Sequence, residues 1–136
     1  MTYKYGHWIS KEKIDPDKYF GFIYLIRCQI TGKQYIGKKQ FYSYKKRKKF
    51  KETDWKSYTS SSQDLNTDIR NFKKNNFSFF ILSLYMTRGG LVYAEANLQH
   101  KYGVLTAKDN NGRLWYNKQI SAIKFIPKEE PYNNYP

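Results

Sequence analysis

The sequence predicts a protein of the α+β class, in which a β-hairpin is followed by a helix, a further strand and a second helix. Residues 22–26 and 34–36 are rich in aromatic and β-branched residues and flank a polar break that contains Thr31 and Gly32, as is typical of an antiparallel hairpin. Residues 77–85 are apolar almost throughout, which predicts a strand covered on both faces.

Each strand of the hairpin carries one tyrosine, Tyr24 and Tyr35. Side chains alternate between the two faces of a strand, so any loop of even length places both phenols on the same face. Two registers are compatible with the sequence. A turn centred on Gln29 and Ile30 sets the tyrosines directly opposite each other, and a two-residue loop at Thr31 and Gly32 offsets them by four residues.

The first helix is predicted between the hairpin and the strand at residues 77–85. Ser60 with Gln63, and Ser61 with Asp64, are both spaced like the start of a capping box. An amphipathic stripe with helical spacing follows, formed by Leu65, Ile69 and Phe72.

The second helix is predicted to start at an N-cap at Thr87 and to end before Gly103. One acidic residue, Glu95, lies on its apolar face. A buried carboxylate without a partner is costly. The spacing leaves two interpretations open: a rim position or salt bridge to a lysine, and a ligand of a divalent cation. This apolar face comprises Leu91, Ala94, Leu98 and Tyr102.

The charge is strongly asymmetric, with 25 Lys and Arg against 11 Asp and Glu and a net charge of +14. Such a balance favours a polyanionic partner, most simply nucleic acid, through phosphate neutralisation. Eight of the fourteen residues 38–51 are basic, and aromatic residues are interleaved with them. Cations for phosphates and rings for stacking suit a nucleic-acid surface, although a solvated charge run or a nuclear-import signal has the same composition.

The remaining composition predicts a single domain inside a cell. Cys28 is the only cysteine, so no intramolecular disulfide can form, and a reducing, cytoplasmic setting fits. No apolar run has the length of a signal core or a membrane span, so we expect no membrane contact. Residues 1–19 are predicted to be an N-terminal arm, 20–120 a core, and 121–136 a C-terminal extension.

These features in this order resemble the GIY-YIG endonuclease family. Tyr35-Ile36-Gly37 matches the second motif of the family, and Phe22-Ile23-Tyr24 matches the first with Phe in place of Gly. The resemblance spans roughly residues 20–120 and implies a three-stranded antiparallel sheet flanked by helices. Lys38-Lys39 and the segment from Asp54 to Ser62 are similar to small phage-encoded members, some of which are homing endonucleases.

The resemblance also implies a set of catalytic residues. Tyr24 corresponds to the general base, and Tyr35 to a residue that orients water or phosphate. Glu95 corresponds to the ligand of one Mg²⁺ or Mn²⁺ ion, and Asn117 to an asparagine that positions a reacting oxygen. The catalytic arginine would be Arg47, which binds the scissile phosphate.

The identity of the catalytic cation stays open. Lys45 lies nearer than Arg47 to the family's spacing from Tyr35, so either residue is a candidate for the catalytic cation. The phenolate of Tyr24 would be favoured by nearby positive charge. DNA contacts are predicted for the surrounding lysines, Lys38, Lys39, Lys45, Lys46, Lys48 and Lys49.

The predicted function is therefore metal-dependent hydrolysis of DNA phosphodiester bonds by an endonuclease acting inside the host cell. A non-catalytic basic module that binds nucleic acid and keeps the fold is the alternative, because Phe22 departs from the motif. A basic structural protein of a nucleoprotein particle would give no reason for Glu95. The sequence contains no evident recognition module, and a chain of this kind could gain specificity as a homodimer.

Overall fold

The computed structural model describes residues 1–129. Residues 130–136, the end of the predicted C-terminal extension, lie outside the described part of the chain. The strands are β1 Tyr3–Tyr5, β2 Trp8–Ser10, β3 Gly21–Cys28, β4 Gln34–Gln40, β5 Tyr42–Lys45, β6 Lys48–Glu52, β7 Phe77–Tyr85, β8 Lys108–Asp109 and β9 Gly112–Arg113; the α-helices are α1 Gln63–Phe72 and α2 Arg88–Lys101.

The main sheet has five strands in the order β1-β2-β7-β3-β4. Its central part, β7-β3-β4, is antiparallel, as the sequence predicts. The sheet is wider than the predicted three strands because the N-terminal arm forms the hairpin β1-β2, and β2 pairs in parallel with β7. The α+β class is confirmed.

Both registers considered for the β3-β4 hairpin are wrong. Tyr24 pairs with Gly37, and Ile26 pairs with Tyr35, so the tyrosines are offset by two residues and share one face. The six residues between Arg27 and Gln34 form a wider loop than either prediction assumed, closed by a hydrogen bond from the Gly32 N–H to the Cys28 carbonyl at 2.8 Å. Gly32 has φ +79° in this loop, a conformation that favours glycine.

The two faces of the sheet carry separate cores. The first face packs Phe22, Tyr24 and Ile26 against α1 and against a layer of aromatic rings from the N-terminal hairpin and the segment before α1. The second face packs Ile23 and Ile36 against α2. Because the side chains of β3 and β4 alternate, the motif tyrosines belong to the α1 side of the sheet.

The helix ends agree only in part with the sequence prediction. Thr87 caps α2 through its hydroxyl, which accepts from the Gly90 N–H at 3.0 Å, as predicted. The cap of α1 is Ser62, which accepts from the Leu65 N–H at 3.2 Å, so both predicted starts at Ser60 and Ser61 are wrong. Neither helix within residues 1–129 has the length and apolarity needed to cross a membrane.

The basic run predicted at residues 38–51 is divided between two elements. Its first residues continue β4, which extends three residues beyond the predicted end at Gly37. The rest forms a separate two-stranded hairpin of β5 and β6. Phe41 lies between the two elements and is fully buried, so it fixes the base of the hairpin to the core.

Candidate active site

The two motif tyrosines lie side by side on the α1 face of the sheet. Their ring centroids are 6.1 Å apart, and the planes are inclined by 26°. The ring of Tyr24 also contacts the buried indole of Trp8, at 5.0 Å between centroids. Tyr24 is only 1% exposed, whereas Tyr35 is half-buried, so Tyr35 forms the more accessible side of the pair.

Gly37 explains why the second motif ends in glycine. A Cβ atom at this position would lie 2.6 Å from Cζ of Tyr24 and 2.8 Å from Cε1 of Tyr35, and it would also overlap the Tyr24 hydroxyl. These distances are shorter than van der Waals contact, so no side chain fits without displacing both rings. The backbone of Gly37 is thus the surface on which the Tyr24 phenol rests.

Glu95 reaches this site from α2 by crossing the outer edge of β4. Its carboxylate accepts a hydrogen bond from the backbone N–H of Lys38, and its charge acts on both Tyr24 and Tyr35. Burial raises the pKa of Glu95, while the Lys38 ammonium and the backbone N–H oppose that rise. Within residues 1–129 no lysine or arginine forms an ion pair with Glu95, so the salt-bridge interpretation is not what the structure shows.

Two further site residues, Tyr58 and Ser61, were missed in the sequence. The Tyr58 ring lies 6.2 Å from the Tyr24 ring in an edge-to-face arrangement. The Ser61 hydroxyl is hydrogen-bonded to both Tyr35 and Tyr58. The only signal in the sequence was a lone tyrosine in a polar segment between two regular elements, where functional residues often lie.

The loop that presents Ser61 is held in a strained conformation. Ser60 has φ +91°, which is unfavourable for a residue with a side chain. Asn66 of α1 fixes this loop, because its Nδ2 donates to the Ser60 carbonyl at 3.1 Å and its Oδ1 accepts from the Thr59 hydroxyl at 2.8 Å. The strained residue, Ser60, is therefore held in place next to Ser61, which is hydrogen-bonded to Tyr35 and Tyr58.

Lys39 places a cation against the tyrosine cluster. It follows Tyr35 and Gly37 at alternate positions of β4, so all three project on the α1 face. Its Nζ lies 3.9 Å from the centroid of the Tyr58 ring and 3.0 Å from Oδ1 of Asp54. The Asp54 carboxylate is 67% exposed, and exposed ion pairs are weak, so Lys39 can exchange this partner for a phosphate at little cost.

The structure does not bring Arg47 or Lys45 to the tyrosines. Arg47 lies in the exposed turn between β5 and β6, and Lys45 precedes that turn with its ammonium 5.4 Å from the ring of Phe50. Both side chains are exposed. The assignment of a catalytic role to either residue stays a prediction. The other five lysines predicted to contact DNA are divided between two elements, with Lys38 and Lys39 on β4 and Lys46, Lys48 and Lys49 in the β5-β6 hairpin.

Asn117 is buried, at 2% exposure, and its amide binds the backbone of β4. Oδ1 accepts from the Ile36 N–H at 3.2 Å, and Nδ2 donates to the Ile36 carbonyl at 2.8 Å. Gln99 of α2 donates to the same carbonyl at 2.9 Å. The Asn117 amide therefore holds the strand between Tyr35 and Gly37, and its role in positioning a reacting oxygen stays a prediction.

These contacts cover the outer edge of β4. Gln34 exchanges hydrogen bonds with the backbone of Leu114 and Tyr116, Ile36 binds Asn117, and Lys38 donates to Glu95. Alternate residues of an edge strand point their backbone groups outward, where they need partners. Strand β4, which carries the second motif, is therefore linked through the backbone N–H of Lys38 to Glu95, the candidate metal ligand.

The electrostatics of the tyrosines differ from the sequence prediction. Burial raises the pKa of Tyr24 well above its usual value, and Tyr35, Tyr58 and Glu95 add to that effect. The pKa of Tyr35 is raised by the same causes and lowered only by the Ser61 hydrogen bond. The expectation that lysines favour a Tyr24 phenolate is wrong for the protein alone, because burial and acidic neighbours outweigh them.

The donor set near Glu95 suits a single hard cation. Mg²⁺ prefers one or two carboxylates and completes its coordination with water and phosphate oxygens. Glu95 is a partly buried carboxylate that forms no ion pair with any residue of the described range 1–129, and its charge acts on the phenol of Tyr35. No cluster of three or more His, Cys, Asp or Glu side chains exists in the described part of the chain, so Glu95 would be the protein ligand of such an ion.

Phe22 departs from the first motif for a reason that lies outside the site. Its ring is fully buried and packs against Trp8, Phe41 and Trp55, at centroid distances of 5.4, 5.1 and 5.8 Å. Trp8 comes from the N-terminal hairpin, which the three-stranded prediction did not include. The additional strands thus provide space for a large residue where the family motif has glycine.

The N-terminal hairpin also supports Tyr58 through His7. The His7 Nε2 is 2.9 Å from the Tyr58 carbonyl, and its ring stacks on Phe79 at 4.0 Å. Burial, together with the charge of Lys74, lowers the pKa of His7 to about 4. His7 is therefore neutral near pH 7, and its Nε2–H donates a hydrogen bond to this carbonyl.

An antiparallel hairpin with paired tyrosines, a glycine beneath them and a glutamate brought in by the following helix defines a nuclease domain of the GIY-YIG type. The chain belongs to the GIY-YIG endonuclease family. Residues 7–120 match the family model described as "Putative endonuclease segE, GIY-YIG domain". The match begins at residue 7, so it includes β2 but not β1.

No curated protein and no solved structure matches the chain. Membership of a nuclease family makes the protein a phosphodiester hydrolase with a nucleic-acid substrate, which confirms the enzyme class predicted from the sequence.

Proposed function

We propose that this protein is a metal-dependent DNA endonuclease whose active site is formed by Tyr24, Tyr35, Tyr58, Lys39 and Glu95. The observation that carries the proposal is the convergence of a partly buried carboxylate with the two motif phenols over a glycine that admits no side chain.

Glu95 would hold one Mg²⁺ or Mn²⁺ ion. When bound, the ion supplies positive charge that stabilises the phosphate in the transition state and offsets the Glu95 charge, one cause of the raised tyrosine pKa values. The Lys38 N–H orients the carboxylate, so the position of the ligand is coupled to the strand that carries Tyr35.

Tyr24 is proposed to accept the proton of the attacking water, and Tyr35 with Ser61 to orient the water or the phosphate. The hydroxyl of Tyr24 is confined by Gly37 and neighbouring rings, which restricts its direction. Such positioning supplies a large share of the rate enhancement of a hydrolase. A raised pKa makes Tyr24 a stronger base once it is ionised and keeps it protonated before substrate arrives.

For the cation that binds the scissile phosphate, the structure favours Lys39 over Arg47 and Lys45. The ammonium of Lys39 lies against the Tyr58 ring, whereas the side chains of Arg47 and Lys45 are exposed on the β5-β6 hairpin. The exposed lysines of that hairpin are proposed to bind DNA phosphates further from the reacting bond.

Incubation of the purified protein with supercoiled plasmid in Mg²⁺, with and without a chelator, tests the proposal. Nicked or linear product that appears only with free metal is expected. Intact plasmid under all metal and salt conditions would refute it.

The second candidate is a nucleic-acid-binding protein that keeps the fold without cutting. The near-complete burial of Tyr24 and its raised pKa favour this alternative. A mobility shift of DNA in Mg²⁺ with unchanged DNA length would support it. In that case Glu95→Ala would leave binding unaltered and remove no activity.

A further inference from the structure

The β5-β6 hairpin combines a tight turn with side chains that are unfavourable in that turn. Lys45 pairs with Lys48, so the turn consists of Lys46 and Arg47, with φ of +52° and +67°. Two positive φ values define a turn that prefers Asn-Gly. Placing Lys and Arg there costs of the order of 1 kcal/mol or more each. In return, the turn presents two long cationic side chains at the tip of the hairpin.

The two faces of the hairpin differ in what they contact. The inner face is fixed to the protein: the Tyr42 hydroxyl donates to Asp17 at 2.7 Å, the Lys49 ammonium donates to the Asp17 carbonyl at 2.9 Å, and the Tyr44 ring stacks 5.4 Å from Phe20. Lys49, which was predicted to bind DNA, is therefore partly used as an anchor.

The outer face and the tip have no such anchors among the described residues. Lys45 and Lys48 pair on the outer face, and Phe50, which lies at the register shift of the hairpin, is 61% exposed with its ring 5.4 Å from the Lys45 ammonium. With Lys46 and Arg47 at the tip, four cations lie within four consecutive residues. The hairpin is thus a ribbon that is fixed along its inner face as far as Tyr44 and Lys49 and is cationic at its end.

We propose that the β5-β6 hairpin enters the major groove of duplex DNA and acts as the recognition element of this nuclease. This inference rests on the proposed function for the substrate, but it concerns binding and not cutting. A two-stranded ribbon fits the major groove, which is about 12 Å wide. The part of the ribbon that lies beyond the anchors at Tyr44 and Lys49 and is free to enter the groove is residues 45–48.

The same dimensions favour DNA duplex over the other nucleic acids. The deep, narrow major groove of A-form RNA does not admit side chains to the base edges, and a single strand offers no groove. Arg47 at the tip can bind O6 and N7 of a guanine through two hydrogen bonds. The hairpin starts about 10 Å along the chain from Lys39, so its tip can reach at most about 7 base pairs from the cleaved bond.

A variant that removes the tip cations while favouring the turn tests the proposal. Lys46→Asn combined with Arg47→Gly creates the residue pair that this turn prefers, so the hairpin stays folded. The matched control is Lys11→Asn with Lys13→Gly, which removes the same charge from exposed positions. These positions follow β2, which is separated from β4 by β7 and β3 in the sheet.

Binding is measured in the Glu95→Ala background, so that cutting does not interfere, with a 30-base-pair DNA duplex and with single-stranded DNA of the same length. The tip variant should weaken duplex binding and lower the slope of log K against log salt by about 0.9, because Lys46 contacts a phosphate and Arg47 a base. It should weaken single-strand binding much less, and the control should behave like the parent. Equal losses on both substrates, or tip and control variants that behave alike, would overturn the proposal.

Methylation by dimethyl sulfate provides a second readout, because it modifies guanine N7 in the major groove and adenine N3 in the minor groove. The Glu95→Ala protein should protect guanine N7 on the duplex, and the tip variant should lose that protection. Protection of adenine N3 alone would place the hairpin in the minor groove and contradict the inference. Since neither readout requires cleavage, a protein without nuclease activity leaves both tests valid.

Discussion

Replacing Gly37 with alanine should inactivate the enzyme while leaving it folded. The added Cβ would lie 2.6 Å from Cζ of Tyr24 and 2.8 Å from Cε1 of Tyr35, and ordinary contact needs about 3.5 Å or more. One or both rings must move by nearly 1 Å. A displacement of this size at reacting groups costs roughly 100-fold in rate, and overpacking of a dense core costs about 1–3 kcal/mol of stability.

The assay is the single-turnover rate of plasmid nicking at saturating protein, together with thermal unfolding. We expect Gly37→Ala to lower the rate about 100-fold and Tm by roughly 4–12 °C. The control is Gly89→Ala in the first turn of α2, where an added Cβ meets only the Phe125 ring at 3.3 Å. A Gly37→Ala protein that nicks at the parental rate would refute the assigned geometry of the tyrosine pair.

Two further outcomes follow from the same structure. Lys39→Ala should lower the saturated cutting rate strongly, whereas Arg47→Ala should mainly raise Kd for DNA; the opposite pattern would return the catalytic role to Arg47. His7 has a folded pKa of about 4 against 6.5 unfolded, so the unfolded state binds more protons between these values and stability falls as pH falls through that window. The pKa shift of His7 limits the resulting loss of unfolding free energy to about 3 kcal/mol, and we expect about 1–2 kcal/mol because His7 is only partly buried. His7→Gln, which keeps the hydrogen-bond donor, should lose less stability than the parent protein between pH 7 and pH 4.5 in urea titrations. An equal loss in the variant and the parent would contradict this prediction.

The sequence predicted those parts of the fold that depend on local patterns. The bounds of β7 and the cap of α2 at Thr87 agree with the structure, because apolar runs and capping residues act within a few positions. The face shared by Tyr24 and Tyr35 was also predictable, since it depends only on strand alternation. Their register was not, because the loop between the strands is closed by backbone contacts that composition does not reveal.

The parts that could not be predicted depend on contacts between distant segments. Tyr58 joins the site because His7, about fifty residues earlier, holds its carbonyl. Asn117 reaches Ile36 across the edge of β4. The raised pKa of Tyr24 comes from burial by such segments, whereas the sequence showed only the lysines nearby. A pattern read along the chain gives charge and spacing, but not which groups exclude water.

The central claim is that Glu95 holds the metal ion that this site needs to cut DNA. The most direct test compares the parent protein with Glu95→Ala and Glu95→Gln in plasmid cutting across a Mg²⁺ titration, with DNA binding measured in parallel. We predict that both variants bind DNA at least as well as the parent and cut it at no Mg²⁺ concentration that supports parental cutting. Parental rates with an unchanged Mg²⁺ dependence in either variant would contradict the account.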